Sequence, residues 1–92
     1  INLKYIAAVD SIYAVKMYKL LKQYQTIKKR EFTLDELKDL LGIIDNYKKY
    51  SHFKERVVDL SLKKINENTD INVEYIECRV GKAVKSLSFQ IR

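Results

Sequence analysis

The sequence predicts an α+β domain with three helices, a C-terminal β-hairpin and a short strand before the second helix. Three observations support this fold class. Apolar residues recur at helical spacing in three segments, and they alternate with polar residues in two segments near the C-terminus. Gly81, which tolerates positive φ, lies between the two alternating segments. With 92 residues and 47% hydrophobic composition, the chain is long enough for one small domain, 1–92, with a modest core.

The first predicted helix begins after Asp10 or Ser11, either of which can accept a hydrogen bond from the first turn, and runs to about Gln25. Residues 1–9 are expected to be a linker or a short strand. One arc of the helix is apolar, and we interpret its tyrosines as core residues with solvated hydroxyls. This arc consists of Tyr13, Ala14, Met17, Tyr18, Leu20, Leu21 and Tyr24.

The second predicted helix has a well-defined start. Thr33 and Glu36 have the spacing of a capping box, in which each side chain accepts a hydrogen bond from the other residue's backbone amide. Phe32 and Leu37 flank the box at the positions of a hydrophobic staple. Gly42 suits the left-handed conformation that ends a helix. The stretch before the box, Glu31-Phe32, is long enough only for a stub of strand.

The third predicted helix extends from an N-cap at Ser51 to Asn66. Its apolar stripe consists of Phe53, Val57, Leu60, Ser61 and Ile65. Cationic and hydrogen-bonding side chains occupy the opposite arc, as on an amphipathic surface helix.

The predicted hairpin joins strands at 71–78 and 83–91 through a turn at 79–82. Ile71, Val73 and Tyr75 alternate in the first strand, as Leu87, Phe89 and Ile91 do in the second, so that each strand has a buried face. Basic residues cluster at or beside the turn. Two helices followed by a hairpin with a basic tip is the order of elements in a winged helix.

Charge favours an anionic partner. The chain carries a formal net charge of +6, and residues 47–64 hold 6 basic against 2 acidic side chains. One cysteine cannot form an internal disulfide, and neither a secretory signal nor a spanning apolar run occurs. We therefore expect a cytoplasmic protein with no membrane association.

No reaction centre is recognisable in the sequence. One histidine and one cysteine are too few for a metal site built on these ligands, and two glycines are too few for a phosphate-binding or dinucleotide loop. The acidic residues form no obvious pair. We expect a protein that is not an enzyme and needs no cofactor.

From about Asp10 onward, the chain resembles the C-terminal winged-helix domain of the Rep proteins that initiate replication of iteron-bearing plasmids. The resemblance is carried by residues 13–24, 32–37, 53–70 and 81–89, in the family's order. It implies a fragment of a two-domain initiator, and the chain begins at Ile1 rather than at a methionine. It further implies monomer binding to repeated sites at a plasmid origin, contact with host replication proteins, and self-association through a domain absent here.

On this interpretation the helix 51–66 lies in the major groove of double-stranded DNA. Arg56 matches a basic residue of the family's recognition helix, and its guanidinium can bond O6 and N7 of guanine in a fork. His52 and Ser51 are expected contacts at the helix start, although His52 stands where the family has an acidic cap. Glu55 also departs from the family, where its position is basic; it can accept from cytosine N4, orient Arg56 or face solvent.

Other cationic side chains are expected to hold phosphates, which fix register without reading sequence. They are Lys48, Lys49, Lys63, Arg79, Lys82 and Lys85. Two alternatives remain at this point. A winged-helix transcription regulator would bind a palindromic operator as a dimer, and a protein-interaction winged helix would use the basic face on an acidic partner.

Overall fold

The structure is a computed structural model that describes residues 11–43 and 45–92. Its first half contains α1 (Ile12–Lys22), β1 (Lys29–Thr33) and α2 (Leu34–Leu40). The predictions for residues 1–9 and for a cap at Asp10 lie outside the described residues.

A long helix, residues 50–68, follows in three consecutive segments. These are the α-helical α3 (Tyr50–Phe53), a π-helical segment (Lys54–Asp59) and the α-helical α4 (Leu60–Asn68). The hairpin strands β2 (Val73–Val80) and β3 (Ala83–Ile91) complete the fold. The predicted α+β fold class, with three helices, a hairpin wing and a strand before the second helix, is confirmed.

The described strands form an antiparallel sheet in the order β1-β3-β2. Phe32 of β1 pairs with Leu87 of β3, and Tyr75 of β2 pairs with Phe89 of the same central strand. The strand before α2 therefore joins the hairpin as predicted, but it has five residues instead of two.

The helices cover one face of this sheet and enclose the core with it. The largest fully buried side chains include Tyr18, Phe32, Phe53, Phe89, Met17, Leu21, Leu37, Leu41 and Ile65. The core unites α1, α2, the long helix and all three strands, so the position of the long helix on the sheet is set by packing.

The starts of the first two helices agree with the sequence. The Ser11 hydroxyl accepts from the Ala14 amide at 3.4 Å, although α1 ends at Lys22 and not at Gln25. The Thr33 hydroxyl accepts from the Glu36 amide at 3.1 Å, and the Glu36 carboxylate accepts from the Thr33 amide at 3.0 Å. The predicted capping box is thus present.

The predicted cap of the long helix is wrong. Lys49 is the N-cap, in an extended conformation, and its carbonyl already accepts from the His52 and Phe53 amides at 3.1 and 3.2 Å. Ser51 consequently lies inside the first turn. The physical reason is tertiary, because Tyr50 is held against β2 by a hydrogen bond to Glu77.

The π-helical segment changes which side chains face the core. Its wider turn, with i→i+5 hydrogen bonds, takes one more residue per turn than an α-helix and rotates the residues that follow. Leu60, predicted to be buried, is 44% exposed, whereas Leu62 is only 5% exposed. Phe53, Val57 and the later residue Ile65 are buried as expected.

The hairpin turn is tighter than predicted. β2 starts at Val73 and continues to Val80, so the turn consists of Gly81 and Lys82, with Gly81 at φ 63°. A bulge between Cys78 and Arg79 shifts the register just before the turn.

Candidate nucleic-acid interface

The long helix and β2 lie side by side, and side-chain hydrogen bonds fix their relative direction. Near the helix start, the Tyr50 hydroxyl donates to the Glu77 carboxylate at 2.6 Å. Further along, the Tyr75 hydroxyl donates to the Asp59 carboxylate at 2.5 Å. The helix and the strand therefore run in opposite directions, and the helix start lies toward the hairpin turn.

Asn66 provides a third connection at the other end. Its side-chain amide donates to the Val73 carbonyl at 3.0 Å, and its carbonyl oxygen accepts from the Val73 amide at 2.7 Å. The side chain thus takes the place of a strand partner at the beginning of β2. This pairing gives Asn66 a structural role, whereas the sequence pattern indicated only that it lies on the solvated face of the helix.

A cationic groove of about 570 Å³ lies at the start of the long helix. Its lining includes four of the predicted DNA contacts, which are Lys48, Lys49, His52 and Arg56. Asn46 and Tyr47 complete the lining, so no carboxylate of the described residues lines the groove. Positive charge and hydrogen-bond donors are thus concentrated at the positive end of the helix dipole.

The loop that carries the two lysines is held in a defined conformation. Tyr47 has a positive φ of 60°, which is unusual for a large side chain. The Lys38 ammonium of α2 donates to its carbonyl at 3.2 Å, and the Tyr13 ring packs edge-to-face on the Tyr47 ring with centroids 6.4 Å apart. These contacts place Lys48 and Lys49 beside the helix start.

Arg56 and Glu55 both lie in the π-helical segment and are exposed. Arg56 lines the cationic groove, whereas Glu55 does not. Ser51 is likewise exposed at the helix start, outside the lining of this groove. Single-turn π segments inside α-helices often occur at functional sites.

The tip of the hairpin, residues 79–82, comprises the last two residues of β2 and the Gly81-Lys82 turn and is called the wing turn below. It carries two of the predicted phosphate contacts. Lys82 is exposed. Arg79 is engaged within the hairpin, because its guanidinium donates to the Lys82 carbonyl at 3.0 Å and to the Glu77 carboxylate at 3.3 Å. Arg79 is 51% exposed, so one face of its side chain is still open to solvent.

The remaining two predicted phosphate contacts lie apart from the groove. Lys63 lines a depression between the long helix and β2 together with the carboxylates of Asp59 and Glu74. Lys85 lies on β3, in a depression that it shares with Asp35 at the start of α2. Both lysines are exposed, but each has acidic neighbours that the groove lysines lack.

Sequence reasoning missed Tyr50 and Glu77. The hydrogen bond from Tyr50 and the charge of Arg79 hold the pKa of Glu77 below its usual value, despite some desolvation. Burial and the adjacent carboxylate raise the pKa of the Tyr50 phenol. The available signal was alternation, because Glu77 follows Val73 and Tyr75 on the inward face of β2 and is a charged residue at an apolar position.

The described part of the chain has neither a cluster of metal-binding side chains nor a membrane-spanning helix. Residues 11–43 and 45–92 contain no group of three histidine, cysteine or acidic side chains that could hold a metal ion. Within the same residues, no helix is long and apolar enough to cross a membrane.

Three helices, an antiparallel sheet and a hairpin whose turn lies beside the start of the last helix define a winged-helix domain. Residues 33–91, more than half of the chain, match the family model described as "Initiator Rep protein, WH2". The chain therefore belongs to this family of replication initiators, which supports a role in plasmid replication initiation. No curated protein matches the sequence.

Proposed function

We propose that this domain binds double-stranded DNA sequence-specifically at the repeated sites of a plasmid replication origin. The observation that carries the proposal is the placement of the cationic groove and the wing turn at the same end of the long helix. A helix in the major groove and a hairpin on the neighbouring backbone can then contact one duplex together. Membership of the initiator Rep family supports the same partner.

Arg56 is the principal base-reading residue in this proposal. It is exposed at the groove, and its guanidinium offers the fork that guanine accepts in the major groove. His52 at the groove, with Ser51 and Glu55 beside it, contacts neighbouring bases. Lys48 and Lys49 hold phosphates at the helix start.

Lys82 and the open face of Arg79 hold phosphates on the wing side. We assign weaker phosphate contacts to Lys63 and Lys85, because each lies beside a carboxylate that competes for its charge. The domain acts by binding and without catalysis or cofactor.

The intact initiator would comprise this domain and a preceding winged-helix domain through which it self-associates. It would bind its repeats as a monomer and recruit host replication proteins in the cytoplasm. These roles are inferred from the family resemblance.

Fluorescence anisotropy tests the DNA proposal directly. A labelled duplex with one direct repeat from the parent plasmid origin is compared with a scrambled duplex of equal composition across a salt series. We expect tighter binding to the repeat and a linear fall of the logarithm of affinity with the logarithm of salt concentration. Equal, weak binding to both duplexes would contradict sequence reading and leave protein contact as the use of the basic face.

A further inference from the structure

We propose that Glu77 is a positioning residue that fixes the wing turn relative to the start of the long helix, and so sharpens DNA sequence preference without contacting DNA. The inference rests on the proposed function, because it concerns how the two DNA-contacting elements are held together. It assigns a role to a charged side chain at an inward position of β2.

The first half of the connection joins Glu77 to the long helix. Tyr50 is the first residue of that helix, its ring packs against the core, and its hydroxyl donates to Glu77 at 2.6 Å. The strand is thereby tied to the turn of helix that also carries Ser51 and His52. A hydrogen bond to an ionised carboxylate is stronger than one between neutral groups.

The second half joins Glu77 to the wing turn. Arg79 donates through one nitrogen to Glu77 at 3.3 Å and through the other to the Lys82 carbonyl at 3.0 Å. The bulge between Cys78 and Arg79 interrupts the regular ladder at this point, so the turn depends more on side-chain contacts. A continuous chain of hydrogen bonds thus runs from the helix to the turn, through Tyr50, Glu77, Arg79 and the Lys82 carbonyl.

The charges around Glu77 keep this chain of hydrogen bonds intact at neutral pH. The pKa of Glu77 is lowered by the Tyr50 hydrogen bond and by the positive charges of Arg79 and Lys54. The Glu77 side chain is 26% exposed, and its carboxylate accepts through both oxygens, one from Tyr50 and one from Arg79. It therefore remains ionised where the domain would meet DNA.

The connection affects specificity because it holds the wing turn in place before DNA binds. A freely moving wing turn could reach phosphates in many registers, and ordering it on DNA would reduce affinity. A fixed turn restricts the duplex to registers in which Arg56 also meets its base. Loss of the connection should therefore weaken binding to the repeat more than binding to scrambled DNA.

A simple charge effect predicts the opposite sign. If Glu77 influenced DNA only as a negative charge, its neutralisation would raise affinity for every duplex. If it served only stability, variants that remain folded would bind as wild type does. The affinities of the variants for the repeat and the scrambled duplex distinguish both alternatives from the positioning role.

The variants are Glu77→Gln, Tyr50→Phe and their double substitution, with Glu74→Gln as the matched control. The amide introduced by Glu77→Gln would keep an oxygen for Tyr50 but would lose the charge that binds Arg79. Glu74 lies on the same strand and pairs with Arg92 at 3.7 Å, away from the wing turn. Affinities for the repeat and the scrambled duplex are measured by anisotropy, under conditions where circular dichroism shows each variant to be folded.

We expect each single variant to lose on the order of tenfold in affinity for the repeat, as when one or two side chains must be ordered on binding. Binding to the scrambled duplex should stay constant or become tighter. The double variant should bind the repeat no more weakly than the weaker single variant, because both substitutions break one chain. Glu74→Gln removes an equal charge beside Lys63 but leaves the wing turn intact, so it should not weaken the repeat, and any gain in affinity should be equal on both duplexes.

Equal tightening on both duplexes, additive losses or unchanged repeat affinity would each overturn the positioning role. A second readout does not depend on DNA. In the free protein, Glu77→Gln should lower the NMR order parameters of the Gly81 and Lys82 amides, and Glu74→Gln should not. Rigid turn amides in Glu77→Gln would disprove the connection, whereas equal binding of both duplexes by wild type would instead overturn the proposed function.

Discussion

Arg56 is the residue at which base reading can be tested most directly. Its guanidinium is exposed at the cationic groove, and a forked contact to guanine discriminates by about 1–3 kcal/mol. We expect Arg56→Ala to lose about 1–3 kcal/mol of binding free energy on the repeat and to relax specificity at one base position. Anisotropy on a panel of singly substituted repeats measures both effects.

The matched control for this substitution is Arg92→Ala. It removes the same side chain from the end of the sheet farthest from the wing turn, where Arg92 pairs with Glu74. The control should leave the ranking of the panel unchanged. If Arg56→Ala ranked the repeats as wild type does, Arg56 would not be a base-reading residue.

Lys82 should behave differently from Arg56. Its side chain is exposed on the wing turn, where a point charge can neutralise a phosphate but carries no base pattern. We expect Lys82→Ala to weaken the repeat and the scrambled duplex alike, and to reduce the salt slope by about 1. The measurement is the same salt series, and a loss confined to the repeat would refute the phosphate assignment.

Local residue patterns predicted part of this site. Basic residues before a helix start indicated the lysines of the groove, and helical periodicity placed His52 and Arg56 on one solvated face. The Tyr50–Glu77 pair could not be read in this way, since it joins residues 27 positions apart whose approach depends on packing. With the same pair in place, the helix starts at Tyr50 and its cap is Lys49 instead of the expected Ser51.

At the scale of elements, α2 offers the most quantitative test. Thr33 and Glu36 satisfy each other's backbone amides in the capping box. Thr33→Ala should reduce the free energy of unfolding by about 0.5–2 kcal/mol, because an amide of the first helical turn loses its partner. Urea denaturation measures the change, with an unchanged m-value expected.

Thr33→Ser is the control for the capping box, since serine retains the hydroxyl. It should preserve most of the stability that Thr33→Ala loses. Equal destabilisation by both substitutions would show that the threonine methyl group, and not the cap, accounts for the loss.

Elements were predictable where the signal was local. The capping box and the left-handed Gly42, at φ 76°, were specified by neighbouring residues. The π-helical segment was not, because a strict 3.6-residue period placed Leu60 inward and overlooked Leu62. One added residue in a turn is invisible to periodicity but reverses the environment of both leucines.

At the scale of the whole molecule, Asp70 connects the first helix of the domain with the end of the last one. It follows the long helix, accepts from the Tyr18 hydroxyl at 2.7 Å and pairs with the Lys22 ammonium at 2.5 Å, so α1 is tied to the segment between the long helix and β2. The hydrogen bonds from Lys22 and Tyr18 hold the pKa of Asp70 below its usual value.

This lowered pKa makes the stability of the domain sensitive to acid. Because the folded carboxyl titrates below the unfolded one, its contribution is complete above the unfolded pKa and is lost as pH falls through the folded pKa. Asp70→Asn should reduce the free energy of unfolding by about 0.2–1 kcal/mol at neutral pH, and its difference from wild type should shrink as pH falls below about 4. Urea denaturation from pH 7 to pH 3 measures this difference, with Asp45→Asn as an exposed control that should run parallel to wild type. A difference between wild type and Asp70→Asn that stays constant over this range would show that the charge of Asp70 does not contribute to folding.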